Sequence, residues 1–542
     1  MEARAIKWWG WGWEDKRVSL ESRATLLEYL RDRLRIDPST RRPVVAIEKI
    51  PVPPSELSGD LLQEIRNLVG EENLASDDVA RITHAAGKGY KDLVRLRTGR
   101  LGQIPDVVVF PEDEDSIHRL LEFAMRKRYA VIPFGGGTSV VGGLEAHADF
   151  PATIVMDLRR LRRILSIDEE SGLVTAEAGL RGPQLEERLN EKGLTLGHFP
   201  QSWEFSTLGG WIATRASGSL SNRYGSIEDL VVGVRLVSPT RTLEVRSLPK
   251  DSHGPSVKEL ILGSEGALGV ITQATLRAHP RPALRQYASR LFSSFPEGIA
   301  ALRAMARDQN LPDMAYLADG EETKFAAAGA GVSPTADGIA ARRISEGSLL
   351  LMGFEGTRDH VVHRRRLAIR YARAGSTSLG SGPAERWAQE RFELPYMRDS
   401  LLDHGILVDT VETATSWSDL MRVYEAGKKA IQGALWKDGA EGIVLCHVSH
   451  AYPDGASLYY TFLAPQREGR EVEQWEGIKA AVTEAFVDAG AALSHQHGIG
   501  EDHAPYLHRV IGEGGLVVLR ALKRELDPAG IMNPGTLVTG SA

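Results

Sequence analysis

A chain of 542 residues with 42% apolar side chains is long enough to build two or three packed domains. Its net charge of -7 excludes a broad cationic surface for nucleic acid, so the run Arg159-Arg160-Leu161-Arg162-Arg163 reads as a solvated face. One cysteine, Cys446, excludes an intramolecular disulfide and a structural zinc cluster, and no stretch approaches the ~20 apolar residues that span a bilayer.

Residues 1 to about 100 mix charged helical patterns with turns at Pro51, Pro53 and Pro54, which predicts a mainly helical amino-terminal region with a structural role. From Asp106 the pattern changes. Val107 to Phe110 predicts a strand, Glu112 to Asp115 a helix start, and Ile117, Leu120, Leu121 and Ala124 an apolar stripe at helical spacing. A strand at Tyr129 to Ile132 then runs into Pro133-Phe134-Gly135-Gly136-Gly137-Thr138-Ser139. Three consecutive glycines tolerate positive φ and close approach, and their N–H groups with the hydroxyls of Thr138 and Ser139 suit a pyrophosphate. The other reading of the triplet is a flexible turn. Its spacing matches neither the P-loop nor the dinucleotide fingerprint.

Thr153 to Met156 and Leu173 to Ala176 continue the strands, and Leu185 and Leu189 mark a helix that ends near Gly193. This predicts an α+β domain running to residue 280. The segment 281–470, Ala- and Gly-rich around 326–340, predicts a second domain. In the final segment, 471–542, Val472, Trp475, Ile478, Val482 and Phe486 give an amphipathic helix that stops at Gly490, before strand-like Ala491 to Ser494. There follows Ser494-His495-Gln496-His497-Gly498-Ile499-Gly500. On an extended backbone His495 and His497 share one face and Gln496 takes the other. The two imidazoles suit proton transfer or an anion, and the alternative is a satisfied histidine pair at a strand end.

Three later segments follow the glycine loop in order: Gln201-Ser202-Trp203-Glu204-Phe205-Ser206-Thr207, then Leu208 to Gly218, then Gly263 to Thr272. This ordered set resembles the FAD-binding domain of the vanillyl-alcohol oxidase type of flavoprotein. With Tyr224 to Leu230 and Trp8-Trp9-Gly10-Trp11-Gly12 added, nearly the whole chain resembles the alkyldihydroxyacetonephosphate synthase family within that superfamily. The resemblance implies an α+β fold. A helical region at 1–100 precedes a two-subdomain FAD-binding domain of PCMH type at 101–280. An α+β cap domain at 281–470 covers the flavin, and the segment 471–542 completes the active site.

The resemblance implies FAD contacts from Pro133, Phe134, Gly135, Gly136, Gly137, Thr138 and Ser139, and from Gln201, Ser202, Ser206, Thr207, Gly210, Thr214, Arg215 and Ala216. Further contacts are implied for Gly263, Ser264, Glu265, Gly266, Gly269, Val270 and Ile271. It assigns catalysis to Tyr459, His495 and His497, and substrate binding to Arg398 and Gln496. A guanidinium fork at Arg398 suits a phosphate or carboxylate, against the plain reading of a surface ion pair. Tyr459 is otherwise a half-buried packing residue. Gln496 stands where the family has the middle of three histidines, and an amide cannot titrate. Tyr316 stands where the family has a substrate-side arginine. His447 and His450 with His495 and His497 would make a zinc site, but flavin chemistry needs no metal and none is expected.

The family reaction exchanges the acyl group of acyl-dihydroxyacetone phosphate for a fatty alcohol without net oxidation, with flavin as electrophile. Because His497-Gly498-Ile499-Gly500 fits flavin-dependent 2-hydroxyacid dehydrogenases equally, a dehydrogenase or oxidase of a 2-hydroxy acid or alcohol is the alternative. A non-catalytic flavin-binding protein is the third reading. The partners implied are a small anionic lipid precursor or hydroxy acid, no nucleic acid, a peripheral membrane contact and a homodimer. Gly540-Ser541-Ala542 is not the peroxisomal signal of eukaryotic relatives, which predicts a cytoplasmic location.

Overall fold

Residues 5–37, 39–333 and 346–538 are described by the computed structural model. β1 (Leu74–Ala75), β2 (Val107–Val109), β3 (Ala130–Phe134) and β4 (Thr153–Asp157) form a first sheet in the order β1-β2-β4-β3. β4 runs parallel to both β2 and β3, and parallel neighbours need a crossover. The helix Glu114–Lys127 supplies the one between β2 and β3. Asp113 caps it by accepting the Ser116 N–H at 2.8 Å, and Ile117, Leu120, Leu121 and Ala124 are its buried stripe. β2 is three valines because a strand covered on both faces has no polar side to show.

β5 (Ile164–Asp168) and β6 (Leu173–Glu177) lead past the short β7 (Leu194–Thr195) to β8 (Val231–Val237), β9 (Thr242–Val245) and β10 (Val270–Arg277). The second sheet is antiparallel, in the order β5-β6-β10-β8-β9, and β11 (His279–Pro280) pairs back onto β7. The third sheet holds β12 (Leu284–Phe292), β13 (Met314–Ala318), β14 (Ser348–Gly356), β15 (Ser376–Gly380), β16 (Ile406–Ser416), β17 (Ile443–Val448) and β18 (Gly455–Pro465). Its order is β15-β12-β14-β13-β17-β18-β16. One face packs on the helices Phe295–Arg307, Arg358–Ala372, Leu420–Lys437 and Glu471–Asp488 through residues such as Leu302, Val361, Ile431, Tyr460, Phe462 and Phe486. The other face is left for the cavity described below.

The ends of the chain do not form layers of their own. The helix Ala24–Leu34 lays Leu26, Leu30 and Leu34 on Met397, Leu401, Val408 and Leu445 of the third-sheet domain, each leucine contributing about 2 kcal/mol of burial. Tyr90, Leu93 and Val94 join the same domain's core, whereas Ile65 and Val69 join that of the first two sheets. At the other end Trp475, Ile478, Val482 and Phe486 belong to the third-sheet core, while Leu526, Ile531 and Met532 return to the first, where Met532 bridges Val131. Among the described residues no helix is long and apolar enough to cross a membrane.

Candidate active site

A cavity of about 850 Å³ lies between the first two sheets and the third. On the first side its wall is mostly backbone. Pro133 and Phe134 end β3, and Gly135, Gly136, Gly137, Thr138 and Ser139 follow along the cavity. A Cβ on Gly136 would lie 2.2 Å from the Phe205 carbonyl oxygen, and one on Gly135 would lie 2.3 Å from Thr207 Oγ1. Gly137 has φ +65°. Any side chain here displaces the loop. Gln201, Ser202, Ser206 and Thr207 face it, followed by Gly210 and Thr214 of the helix Leu208–Thr214, then Ala216. Glu265, Gly266, Gly269 and Ile271 complete this side. Bare main chain beside small hydroxyl groups fits the diphosphate of a dinucleotide, which takes N–H and O–H donors.

Four of the residues expected at the cofactor lie outside the lining. Arg215 turns away, with Nη1 2.6 Å from Glu228 and Nη2 3.0 Å from Glu259. Gly263 packs under it, where a Cβ would meet Arg215 Nε at 3.0 Å. Ser264 is buried in the turn behind. Val270 is fully buried, and strand alternation sends it away from the cavity that Gly269 and Ile271 line.

The opposite wall is the open face of the third sheet. Glu412 on β16 pairs with Tyr459 on β18, which pairs with His447 on β17. The next row toward the far end is Thr410, Thr461 and Leu445, and the one after is Val408, Leu463 and Ile443. Alternate residues share a face, so three rows grade from ionisable through hydroxyl to apolar. The apolar end continues into an arm of the cavity walled by Phe325, Met397 and Leu401, which pack with Val408, Leu445 and Leu463.

The expected strand Ala491 to Ser494 does not form, and the chain stays irregular through His497. Glu412 is the physical reason: its buried Oε1 accepts the backbone N–H groups of His495, Gln496 and His497 at 3.2, 2.6 and 2.7 Å, which coils the segment around one oxygen. Burial pushes the Glu412 carboxyl up, but His497, His495 and the Gln496 N–H outweigh it and hold the group well below the usual range. The coil separates the histidines differently from an extended chain. Gln496 and His497 line the cavity, whereas His495 lies outside it with Nε2 2.6 Å from the Tyr452 hydroxyl. Burial lowers the His497 pKa against the opposing pull of Glu412, which keeps the imidazole neutral near pH 7. Tyr459 meets His497 edge-on at 5.5 Å, and burial raises its phenol. Gln496 Oε1 and Arg398 Nε are buried without hydrogen-bond partners, so both have capacity left for a ligand.

Arg398 is on the helix Leu394–Asp403, with Nη2 2.8 Å from Asp409 and Nη1 donating to the Lys88 carbonyl at 3.1 Å. A hairpin around Trp11 braces that helix. Lys7 N–H bonds to the Gly12 carbonyl at 2.8 Å, Lys7 Nζ lies 2.8 Å from Asp399, and the Trp11 N–H donates to Asp399 at 3.1 Å. Trp11 itself lines the cavity. Glu265 does more than line its wall, because its buried carboxylate accepts the Ile499 and Gly500 N–H groups at 2.6 and 2.8 Å and so fastens the His497 turn to the cofactor side. Glu412 and this second duty of Glu265 carry no local pattern, whereas Trp11 belongs to the Trp8 to Gly12 motif. Among the described residues no group of three or more His, Cys, Asp and Glu could hold a metal.

Comparison with known proteins agrees with this geometry. Residues 105–245 match the FAD binding domain family and residues 281–537 the C-terminal domain of FAD linked oxidases. The chain is 35% identical to alkyldihydroxyacetonephosphate synthase of Dictyostelium discoideum, over 92% of this chain and 83% of that one. It superposes on a solved alkyldihydroxyacetonephosphate synthase with a TM-score of 0.85 at 32% identity, covering 98% of each chain. The 4-ethylphenol oxidase of Gulosibacter chungangensis shares the fold at TM-score 0.69 and 15% identity, covering 90% of this chain and 99% of that one. The protein is thus an FAD-dependent enzyme with the vanillyl-alcohol oxidase type of fold. Within that class, the chain belongs to the alkyldihydroxyacetonephosphate synthase family.

Proposed function

We propose that this enzyme exchanges the acyl group of an acyl-dihydroxyacetone phosphate for a fatty alcohol, making the ether bond of ether lipids. The observation that carries the reading is the graded wall: ionisable side chains next to the cofactor loops, then threonines, then a long apolar arm. An amphiphile lies along such a wall in one direction only, reacting end at Tyr459 and His497, tail past Val408 and Leu463.

FAD, held along Gly135 to Ser139, Ser202, Thr207 and Gly266, supplies an electrophilic ring when bound. The chain's own groups bind, orient and move protons. Arg398 takes the phosphate head with the capacity it has left beyond Asp409. Neutral His497 accepts a proton near the reacting carbon and Tyr459 relays it, while Gln496 donates or accepts hydrogen bonds without titrating. The apolar arm excludes water from the reacting end. The reading places the enzyme in the cytoplasm, against the lipid surface that supplies such substrates, and makes it a homodimer; fractionation and sedimentation test those points.

The deciding experiment follows the flavin band of purified holoenzyme anaerobically while acyl-dihydroxyacetone phosphate and hexadecanol are added, with products read by mass spectrometry. Alkyl ether without reduced flavin supports the exchange. Bleaching by a 2-hydroxy acid that an electron acceptor reverses overturns it in favour of a dehydrogenase, and no response to either leaves only flavin binding.

A further inference from the structure

The cavity wall between the apolar arm and the His497 turn carries a carboxylate–imidazole pair that the reaction as described leaves unused. Glu322, on the helix Gly320–Gly329, receives His447 Nδ1 at 3.0 Å on each of its oxygens, and its Oε1 also accepts the Tyr316 hydroxyl at 2.5 Å. Among the described residues no Lys or Arg pairs with it. The nearby cation, Lys428, lies 2.6 Å from Asp319, whose other oxygen accepts the Glu322 N–H at 2.8 Å and so pins the helix start. His447 is clamped between the Tyr316 ring at 4.1 Å and the Tyr459 ring at 5.0 Å. With Nδ1–H given to a carboxylate, the ring's lone pair is on Nε2, which makes no hydrogen bond among the described residues.

Tyr316, Glu322 and His447 all line the cavity, and Leu445, two residues before His447 on β17, leads into the apolar arm. A fatty alcohol with its tail in that arm brings its hydroxyl to this end of the wall. His497 lies beyond Tyr459, on the side of the glycine loops.

We propose that His447, oriented by Glu322, is the base that takes the hydroxyl proton of the incoming alcohol. The inference rests on the exchange reaction proposed above. The alcohol O–H bond breaks and its proton goes to Nε2, while the pair left on oxygen makes the new C–O bond. The carboxylate departs with the electron pair of its own C–O bond, and Nε2 passes the proton to it or to water. No oxidant or reductant is consumed. A base held by a third group is the recurring arrangement for activating a hydroxyl.

Holoenzyme with the wild-type sequence, His447→Gln and Glu322→Gln are compared in two measurements: single-turnover release of fatty acid without alcohol, and ether formation with hexadecanol. His447→Gln is expected to slow ether formation about a hundredfold, the usual size of a general-base contribution, and to release fatty acid at the wild-type rate. An alcohol fluorinated beside its hydroxyl, which gives up its proton more readily, should regain rate in His447→Gln relative to the parent alcohol and not in the wild type. Glu322→Gln should show a smaller loss confined to the same step, and it carries both measurements if His447→Gln fails to hold flavin. Equal slowing of both steps, or a wild-type fluoro-alcohol ratio in the variants, overturns the inference alone. A wild-type enzyme that makes no ether overturns the exchange reading itself.

Discussion

The two walls of the cavity are built on opposite principles. The cofactor wall is main chain brought close by glycines, where Gly136 lies within a Cβ's reach of the Phe205 carbonyl. The facing wall is side chain, and its chemistry is placed by the pairing of β16, β17 and β18. A backbone wall tolerates no added atom and holds a constant ligand; a side-chain wall can change its chemistry residue by residue while the sheet stays the same.

If that contrast is right, damage to the first wall abolishes binding of the cofactor, and damage to the second spares it. Gly136→Val should give the largest effect: protein recovered without flavin, read from the absorbance of the desalted protein, since a Cβ there meets a carbonyl oxygen at 2.2 Å. Flavin retention equal to wild type would break the comparison outright. His497→Ala should keep its flavin spectrum and lose on the order of a hundredfold in turnover, the range of an acid–base group. Arg398→Ala should raise the KM for the phosphate-bearing substrate by roughly ten- to a hundredfold, from a lost charged hydrogen bond of about 1.5–3 kcal/mol, with FAD affinity unchanged.

Glu265 joins the two walls and sharpens the contrast with the smallest effect. Burial raises its carboxyl from 4.5 to about 7, opposed by the Ile499 and Gly500 N–H groups. The folded state therefore holds the proton more tightly than the unfolded chain, and stability from this group declines as pH rises from about 4.5 through about 7. In Glu265→Gln that decline should vanish, so the melting temperature of the wild type minus that of the variant should be larger at pH 4.5 than at pH 8. A difference that does not change with pH removes the proton from the account.

The two walls were unequally legible in the sequence. A strand ending in three glycines is a local pattern, and β3 starts one residue and ends two residues later than the pattern puts it. The stripe from Ile117 to Ala124 was equally plain, because helical burial repeats along the chain. Glu412 was not, since one carboxylate in a strand acquires its meaning only from a segment more than eighty residues later. The same long-range bond defeats the extended reading of His495 to His497: local alternation pairs the histidines on one face, and a buried anion gathering three N–H groups splits them. The ends of the chain escaped a local reading for the same reason, as Leu26 and Ile531 find their cores in domains that lie far away in sequence.

The Trp11 hairpin has a consequence for biosynthesis. It leaves the ribosome well before its anchor, because Asp399 is made 392 residues after Lys7. At 5–20 residues per second the Trp11 indole waits on the order of tens of seconds for Tyr396, against which it packs. During synthesis this stretch is a sticky, unpaired nascent segment, and a chaperone that shields it until the helix Leu394–Asp403 has appeared would raise the yield of soluble enzyme without touching its finished form.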